Sequence, residues 1–138
     1  MNTPTTTLRL RAPLRAKIQR MAKRTRRSFS AVTQDLLEEA LRLRECPLIY
    51  FADEPAGREA KVVGTGLGVW EIVRDYLARR KDPRLLKKVL PDLSVAQIKA
   101  ALFYYEKYPE EVDDAIAENE ALYREGIQTQ ASLAVQRA

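Results

Sequence analysis

Residues 5–12 read Thr-Thr-Thr-Leu-Arg-Leu-Arg-Ala, and this stretch decides the fold of the first third of the chain. Every second residue from Leu8 is apolar, whereas Thr7, Arg9 and Arg11 alternate with the leucines, as in a β-strand with one buried face. A short strand leaves its backbone groups without partners, so we expect a second copy of the chain to pair with it. Two such strands would form a cationic ribbon that the DNA major groove can admit.

The composition describes a globular chain without an obvious catalytic or metal site. The 138 residues are 46% hydrophobic and 31% charged, which allows one ordinary domain or two small ones. We expect no membrane span, because no apolar run reaches about 18 residues, and no secretory signal. The single Cys46 excludes an internal disulfide and fits a reducing cytoplasm. Since histidine is absent and there is a single thiol, we expect no familiar zinc site and no histidine-based acid–base chemistry. No cluster of Asp and Glu has the spacing that acid–base pairs or metal ligands need, so we expect no enzymatic activity and no cofactor.

The charge is distributed unevenly along the chain. Residues 1–45 contain eleven Lys and Arg against four Asp and Glu, a net +7, whereas the remainder is −2 within a total of +5. Residues 74–99 are again basic, and residues 106–125 are acidic. This asymmetry indicates nucleic acid as one partner and a different partner for the acidic end.

Two helices are predicted after the strand. Pro13 suits the first turn of the first helix, whose apolar spacing breaks at residues 25–28. Ser30 is predicted to cap the second helix, which ends at Glu45. A strand and two helices within about forty residues have too little core to fold alone, and two intertwined copies would supply the rest.

This first segment resembles the ribbon-helix-helix repressors of the Arc, MetJ and CopG type in its strand alternation, Pro13, both apolar helix stripes and the Ser-Phe-Ser start of the second helix. The resemblance implies that outward strand residues read bases and that the start of the second helix holds a phosphate. One departure is Arg26, because the inter-helix turn of that family often has glycine there. The residues assigned to DNA are Thr7, Arg9, Arg11, Arg26, Arg27, Ser28 and Ser30. A merely solvated strand face is the alternative interpretation.

The second region is predicted to be a β-hairpin followed by helices. Residues 48–51 and 60–63 are short strand-like runs around a turn-forming segment. A glycine-rich stretch, residues 64–68, precedes a strong helix; it is interpreted as a tight turn that lets the backbone approach Trp70, rather than as a phosphate loop. Shorter helices follow Asp82 and Ser94, and another begins at Pro109.

The predicted fold class is therefore mainly α with short β. Residues 1–45 form a ribbon-helix-helix domain for dimerisation and DNA binding. Residues 46–126 form a β-hairpin plus helical, helix-turn-helix-like domain. Residues 127–138, where the apolar pattern weakens, are expected to be a flexible tail.

The second region resembles a small bacterial domain found in VapB-type antitoxins of toxin–antitoxin pairs, over residues 49–120. The strings that carry the likeness are Gly64-Thr65, Val69-Trp70-Glu71-Ile72-Val73, Leu93-Ser94, Gln97-Ile98, Ala101-Leu102, Tyr104-Tyr105 and Tyr108-Pro109. This resemblance implies a protein that silences a neighbouring PIN-like ribonuclease and commonly represses its own operon.

Two further sets of residues are candidates for binding. A second basic patch on a helix-turn-helix-like segment comprises Arg79, Arg80, Lys81, Arg84, Lys87 and Lys88; a plain packing unit with a solvated charged face is the favoured alternative. Candidates for contact with a toxin are Tyr105, Tyr108, Val112, Ile116, Leu122 and Tyr123. The acidic helix that carries the last four is either a solvated surface or a cover for a basic, RNA-binding groove.

The sequence thus leads to a hypothesis with two alternatives. The main hypothesis is a cytoplasmic, homodimeric antitoxin that binds a PIN-like ribonuclease toxin and represses its own operon by binding operator DNA. The first alternative is a stand-alone ribbon-helix-helix regulator with an oligomerisation or effector domain and no toxin partner. The second alternative is a ribosome-associated or RNA-binding scaffold that uses the basic segments without preference for an operator.

Overall fold

The chain forms two compact units, residues 1–44 and 45–138. The structure is a computed structural model that describes residues 3–137, with side chains up to residue 136. Over this range it is mainly helical, with six helices and one short two-stranded antiparallel sheet. The elements, in chain order, are α1 (Ala12–Thr25), α2 (Phe29–Glu45), β1 (Ile49–Glu54), β2 (Gly57–Val62), α3 (Val69–Ala78), α4 (Pro83–Val89), α5 (Val95–Lys107) and α6 (Pro109–Arg137). None of the helices in residues 3–137 combines the length and apolar character that crossing a membrane requires.

Residues 3–11, which we call the arm, contain neither helix nor strand in the single chain. Arg11 has extended backbone angles, φ −60° and ψ 141°, and Leu10 packs against the small core of the first unit. A strand is defined by hydrogen bonds to a neighbouring strand, which one copy of the chain does not supply. The predicted strand therefore stays a prediction about an assembly of two chains.

The turn between α1 and α2 contains a residue in the left-handed region. The N–H of Arg26 donates to the carbonyl of Lys23 at 3.3 Å, and the N–H of Arg27 donates to that of Ala22 at 3.0 Å. These bonds form a Schellman ending, in which Arg26 has φ 55° where glycine is usual. The helix break predicted at residues 25–28 is confirmed, and the turn keeps its geometry without glycine.

The second helix begins two residues earlier than the predicted cap requires. Ser28 occupies the capping position: its Oγ accepts a hydrogen bond from the N–H of Ala31 at 3.0 Å, and its carbonyl accepts one from Val32 at 3.1 Å. Ser30 lies inside α2, where its Oγ accepts a hydrogen bond from Gln34 Nε2 at 3.0 Å. The assignment of Ser30 as the cap was wrong. The helix already begins at Phe29, so Ser28 is the residue whose side chain can reach the free amides of the first turn.

The first unit has a small core and a large uncovered apolar surface. Its buried residues, among those described, are Ile18, Ala22 and Val32, with four partly buried side chains around them. Several leucines of the same unit remain exposed: Leu8 at 62%, Leu14 at 48%, Leu37 at 53%, Leu41 at 59% and Leu43 at 45%. Full burial of one such side chain is worth about 1.5–3 kcal/mol, so the unit forgoes much of the stability that its sequence could provide.

The second unit begins with the predicted hairpin, which is confirmed with longer strands and a tighter turn. β1 and β2 pair in antiparallel, with Ile49 opposite Val62 and Glu54 opposite Gly57. One face of the hairpin covers the core of the second unit through Ile49, Val62 and the ring of Phe51.

The core of the second unit surrounds Tyr104 of α5, which is fully buried. Its ring meets Phe51 edge-on at 6.3 Å and lies 5.0 Å from the ring of Tyr108, while its hydroxyl donates to the carboxylate of Glu111. The other large side chains that are completely buried are Ile72, Leu86, Val62, Val69, Val73 and Cys46. Each helix from α3 to α6 contributes to this core, so the hairpin and the four helices form one packed body.

The start of α5 is tied to the hairpin. Ser94 Oγ accepts the N–H of Gln97, and Gln97 Oε1 accepts the N–H of Ser94, which is the reciprocal capping box expected for this position. The same glutamine donates from Nε2 to the carbonyl of Val63 at 3.0 Å. The predicted cap at Ser94 is confirmed.

The last helix differs from the prediction at its carboxyl end. We expected helix to Gly126 and a flexible tail over residues 127–138, but α6 continues to Arg137; Ala138 lies outside the described residues. All residues from 121 to 136 are exposed, so this part of α6 packs against nothing in the part of the chain that the structure describes. Its sequence therefore has no apolar stripe that would predict a helix. Its residues are good or neutral helix formers, with Gly126 as the exception, and helix propensity explains the continuation.

The interpretation of residues 64–68 as a tight turn is confirmed at Gly68. A Cβ at this position would lie 2.0 Å from Glu59 Oε1 and 2.9 Å from Trp70 Cδ1. The backbone therefore passes directly beneath the hydrogen bond between Trp70 Nε1 and Glu59 Oε1, which is 2.8 Å long. Only glycine leaves room for that contact.

We expect Gly68→Ala to lower the free energy of unfolding of the second unit by about 1–3 kcal/mol, because the new methyl group displaces Glu59 or the indole. Gly126→Ala is the matched control: the same methyl group meets open space on a helix, and stability should rise by up to about 1 kcal/mol. Urea unfolding followed by circular dichroism and by the fluorescence of Trp70 measures both. Equal effects of the two variants would contradict the close approach.

Candidate nucleic-acid interface

The arm exposes the side chains that the sequence assigned to base recognition. Thr7, Arg9 and Arg11 are all exposed, whereas Leu10 turns inward and is half-buried. The alternation predicted from the sequence is therefore present between Arg9 and Arg11 in a single chain. Leu8 is the exception, since 62% of its surface is exposed and it has no cover within the described part of this copy.

The start of α2 offers donors suited to a phosphate. The amides of the first turn have no acceptor within a helix, and the Oγ of Ser28 already binds one of them, that of Ala31. The amides of Phe29 and Ser30 are the remaining donors at this terminus, where the helix dipole favours an anion. Ser28 acts here as a cap, which orients the first turn.

The two arginines of the inter-helix turn, Arg26 and Arg27, differ in whether they form an ion pair. Arg26 is exposed, and its backbone is left-handed with φ 55°. Arg27 forms an ion pair with Asp35 of α2, and both side chains are about half exposed. A phosphate contact by Arg27 would therefore compete with an existing partner, whereas Arg26 forms no ion pair with another residue of the range 3–136.

The electrostatics of the first unit favour an anionic partner. No acidic residue occurs between Thr3 and Ser28, and the first carboxylate of the chain is that of Asp35. Exposed cations lie along α1 at Arg15, Lys17, Arg20, Lys23 and Arg24. Such side chains add affinity for a polyanion without regard to its sequence.

The second basic patch is partly used for internal contacts. Arg79 donates to the carbonyl of Asp75 at 3.3 Å, and Lys87 Nζ donates to the carbonyl of Leu93. Arg80 and Lys81 form the α3–α4 turn with φ of 54° and 59°. The exposed cations of α4 are Arg84, Lys87 and Lys88. Two of the six side chains of the patch, those of Arg79 and Lys87, are therefore engaged in contacts within the second unit.

The contacts of α5 favour the packing interpretation of the helix-turn-helix-like segment. The polar side chains of Ser94 and Gln97, at the start of this helix, are occupied by the capping box and by the carbonyl of Val63. Val95 is 63% exposed and Lys99 is also exposed, which leaves few free polar groups at the start of this helix.

The residues assigned to a toxin divide into three groups. Val112 is only 3% exposed and belongs to the core, so it is not available to a partner in this fold. Tyr105 and Tyr108 are partly buried, and their hydroxyls donate to Asp113 and Glu45, both at 2.8 Å. The bond to Asp113 raises the pKa of Tyr105. Ile116 is partly buried, whereas Leu122 and Tyr123 are exposed by 57% and 72%.

The exposed part of α6 is more apolar than the sequence pattern suggested. Beyond Leu122 and Tyr123, the side chains of Ile127, Leu133 and Val135 are 48%, 50% and 76% exposed. From Gly126 to Gln136 the helix has no charged residue. These residues were missed because we expected no helix there.

A cluster of charged side chains around Trp70 was also not predicted from the sequence. Glu59 accepts the indole N–H, and the guanidinium of Arg74 lies 5.2 Å from the ring centroid. Burial, followed by the nearby charge of Glu59, raises the pKa of Glu71. Because the partners lie eleven residues apart on different elements, no local pattern reveals them. The carboxylates do not form a metal site: no group of three or more potential ligands occurs among residues 3–137.

Comparisons with protein-family models, with curated proteins and with solved structures find no match to this chain.

We expect Ser28→Ala to destabilise the first unit by about 1 kcal/mol, because the first turn of α2 loses its cap. Ser30→Ala, two residues away, should cost much less, since its Oγ binds only a side chain. Amide hydrogen exchange of α2 in the two variants measures the difference. If Ser30→Ala were the more damaging change, the position of the cap would be wrong.

Proposed function

We propose that the chain is an antitoxin and autorepressor: a homodimer formed through the first unit binds operator DNA, and the second unit binds a PIN-like ribonuclease toxin. The observation that carries the DNA-binding half of the proposal is the arm, whose Arg9 and Arg11 are exposed while Leu10 between them packs inward.

The uncovered leucines of the first unit support dimerisation. Leu8 on the arm and Leu37 of α2 line the same groove of about 630 Å³, together with Leu10 and Phe29. An apolar groove beside an arm without a strand partner suits the arm of a second copy, which would pair with the first arm and cover the leucines. This arrangement is the ribbon-helix-helix dimer that the sequence resembles.

The dimer would present its guanidiniums on one surface. Pairing of two arms places Thr7, Arg9 and Arg11 of each copy on the face opposite Leu8 and Leu10. Arginine in the major groove can donate two hydrogen bonds to guanine, and the first turn of α2 can hold a flanking phosphate. Sequence would then be read by the arm, and the cations of α1 would supply general attraction.

The toxin-binding half of the proposal rests on the resemblance of residues 49–120 and on the exposed part of α6. A helix with an exposed, uncharged apolar surface is a suitable ligand for a groove on another protein. Leu122 and Tyr123 lie on the same helix just before the uncharged stretch, and they are the most exposed residues of the predicted toxin-binding set.

Arg9→Ala and Arg11→Ala should each weaken operator binding by about 1–3 kcal/mol and relax the preference at one base pair. Arg15→Ala is the matched control: it removes the same charge from α1, and it should reduce the salt slope by about 0.9 without changing the preferred sequence. A gel-shift series against operator and nonspecific DNA at several salt concentrations measures both. An unchanged sequence preference in both arm variants would exclude the arm as the reader.

Leu122→Ala and Tyr123→Ala should each weaken binding to the product of the neighbouring gene by about tenfold or more and leave DNA binding intact. Gln128→Ala, on the same exposed part of α6, should have little effect. Co-purification and titration calorimetry of the pair measure the change. If the neighbouring product is not toxic and forms no complex, the stand-alone regulator is the better assignment.

A further inference from the structure

The second basic patch lies in the turn between α3 and α4 and on α4 itself. Residues 76–91 contain six Lys and Arg and a single acid, Asp82. The Oδ1 atom of Asp82 accepts the N–H of Arg84 at 2.9 Å and caps α4, and Asp82 is only partly exposed. The one carboxylate of this segment is therefore used to start the helix.

Four of the six cations are exposed and form no ion pair with another residue of the range 3–136: Arg80, Lys81, Arg84 and Lys88. The next acids along the chain do not neutralise them. Asp75 pairs with Arg74 at 3.3 Å, and Asp92 forms no ion pair among the described residues. Because like charges repel, a surface without a bound partner usually intersperses the two signs.

Two of these cations have a backbone conformation that is unfavourable for their side chains. Arg80 and Lys81 are consecutive residues with φ of 54° and 59°, in the left-handed region where glycine is usual. The N–H of Lys81 donates to the carbonyl of Tyr76 at 3.0 Å, a backbone bond that glycine would form equally well. Neither side chain forms a hydrogen bond within the described residues, so the folding of the turn does not account for the two charges.

The same combination of charge and backbone conformation occurs in the first unit. Among residues 3–137, four residues other than glycine have a left-handed φ, and three of them are cations in turns between helices: Arg26, Arg80 and Lys81. Arg26 belongs to the unit that carries the proposed DNA contact. Exposed cations at strained turns in both units indicate the same kind of partner, a polyanion.

The patch suits the backbone of duplex DNA better than other nucleic-acid surfaces. Arg84 and Lys88 are four residues apart on α4 and therefore neighbours on one face. Each strand of a duplex carries a phosphate about every 3.4 Å along the axis, so adjacent cations can each meet one. Residues 79–88 contain no aromatic residue on which an unpaired base could stack. Because Ser94 and Gln97 are engaged in the capping box, the start of α5 offers little to base edges.

We propose that the second basic patch binds the phosphate backbone of duplex DNA without sequence preference, as a second DNA contact on the chain that carries the arm. The proposal rests on the proposed function only in its choice of duplex DNA as the partner. The arm sets the preferred sequence, and the patch adds affinity and salt dependence. Two contacts on one chain reinforce each other, because the first holds the second at high effective concentration.

Titration of full-length protein with a duplex of random sequence tests the proposal, with fluorescence anisotropy measured over a series of NaCl concentrations. The double variant Arg84→Gln with Lys88→Gln should lower the log–log salt slope by about 1.8 and weaken binding about tenfold or more at low salt. An unchanged slope would overturn the proposal; the charges would then be merely solvated or would serve an acidic protein.

The matched control is Lys99→Gln with Arg124→Gln, which removes two exposed cations of the same unit from α5 and α6. It should change the slope much less. Equal losses in the two double variants would reduce the effect to net charge and overturn the proposal. Arg84→Lys with Lys88→Arg keeps both charges and should keep the slope. Loss of the slope in this pair, with an unchanged melting temperature, would also overturn it.

A random duplex contains no operator, so this result is separate from the test of the arm. If the arm variants keep the sequence preference while Arg84→Gln with Lys88→Gln lowers the slope, the proposed function fails and the second contact stands. The same titration with a structured RNA decides between the nucleic acids. Weaker binding to RNA with unchanged binding to duplex DNA would overturn the proposal.

Chemical acetylation of the wild-type protein, read by mass spectrometry, locates the contact. At a saturating concentration of the random duplex, Lys81 and Lys88 should be protected, whereas Lys99 should react as in the free protein. Equal reactivity of all three lysines with and without DNA would overturn the proposal.

Discussion

The dominant constraint on this molecule is the apolar surface that its first unit leaves uncovered. Two helices and an arm bury Ile18, Ala22 and Val32, while five leucines remain between 45% and 62% exposed. The same unit has a strand-like arm without a strand partner. In the proposed dimer, a second chain would meet both deficits, because it would supply apolar surface and backbone groups together. The proposed dimer and its cationic ribbon follow from that requirement.

The second unit solves its folding problem internally. Tyr104 lies at the centre of a core to which the hairpin and all four helices contribute, and polar contacts tie the periphery: Gln97 to the hairpin, Glu59 to Trp70 and Lys87 to the turn before α5. Some polar side chains that looked available for binding in the sequence, such as Lys87, are used for these internal contacts. A surface of this unit that stays exposed is the carboxyl-terminal part of α6.

Much of the local structure was predictable because its causes lie within a few residues. The breaks at residues 25–28, the cap at Ser94, the hairpin and the close approach at Gly68 all have short-range signals: turn formers, caps and glycines. The cap of α2 was misplaced because two serines flank Phe29, and local preference does not distinguish them. The end of α6 was missed because an exposed helix has no apolar periodicity to reveal it.

The sequence alone determined the helical character of the chain, the cationic alternation of the arm and the breaks between most elements, since these depend on propensity, period and turn-forming residues. Only the tertiary structure decided which side chains are available. It buried Val112, engaged Tyr105, Tyr108 and Gln97 in hydrogen bonds, and brought Glu59 to Trp70. The reason is that accessibility depends on contacts between elements far apart in the chain, and spacing within one element does not encode them.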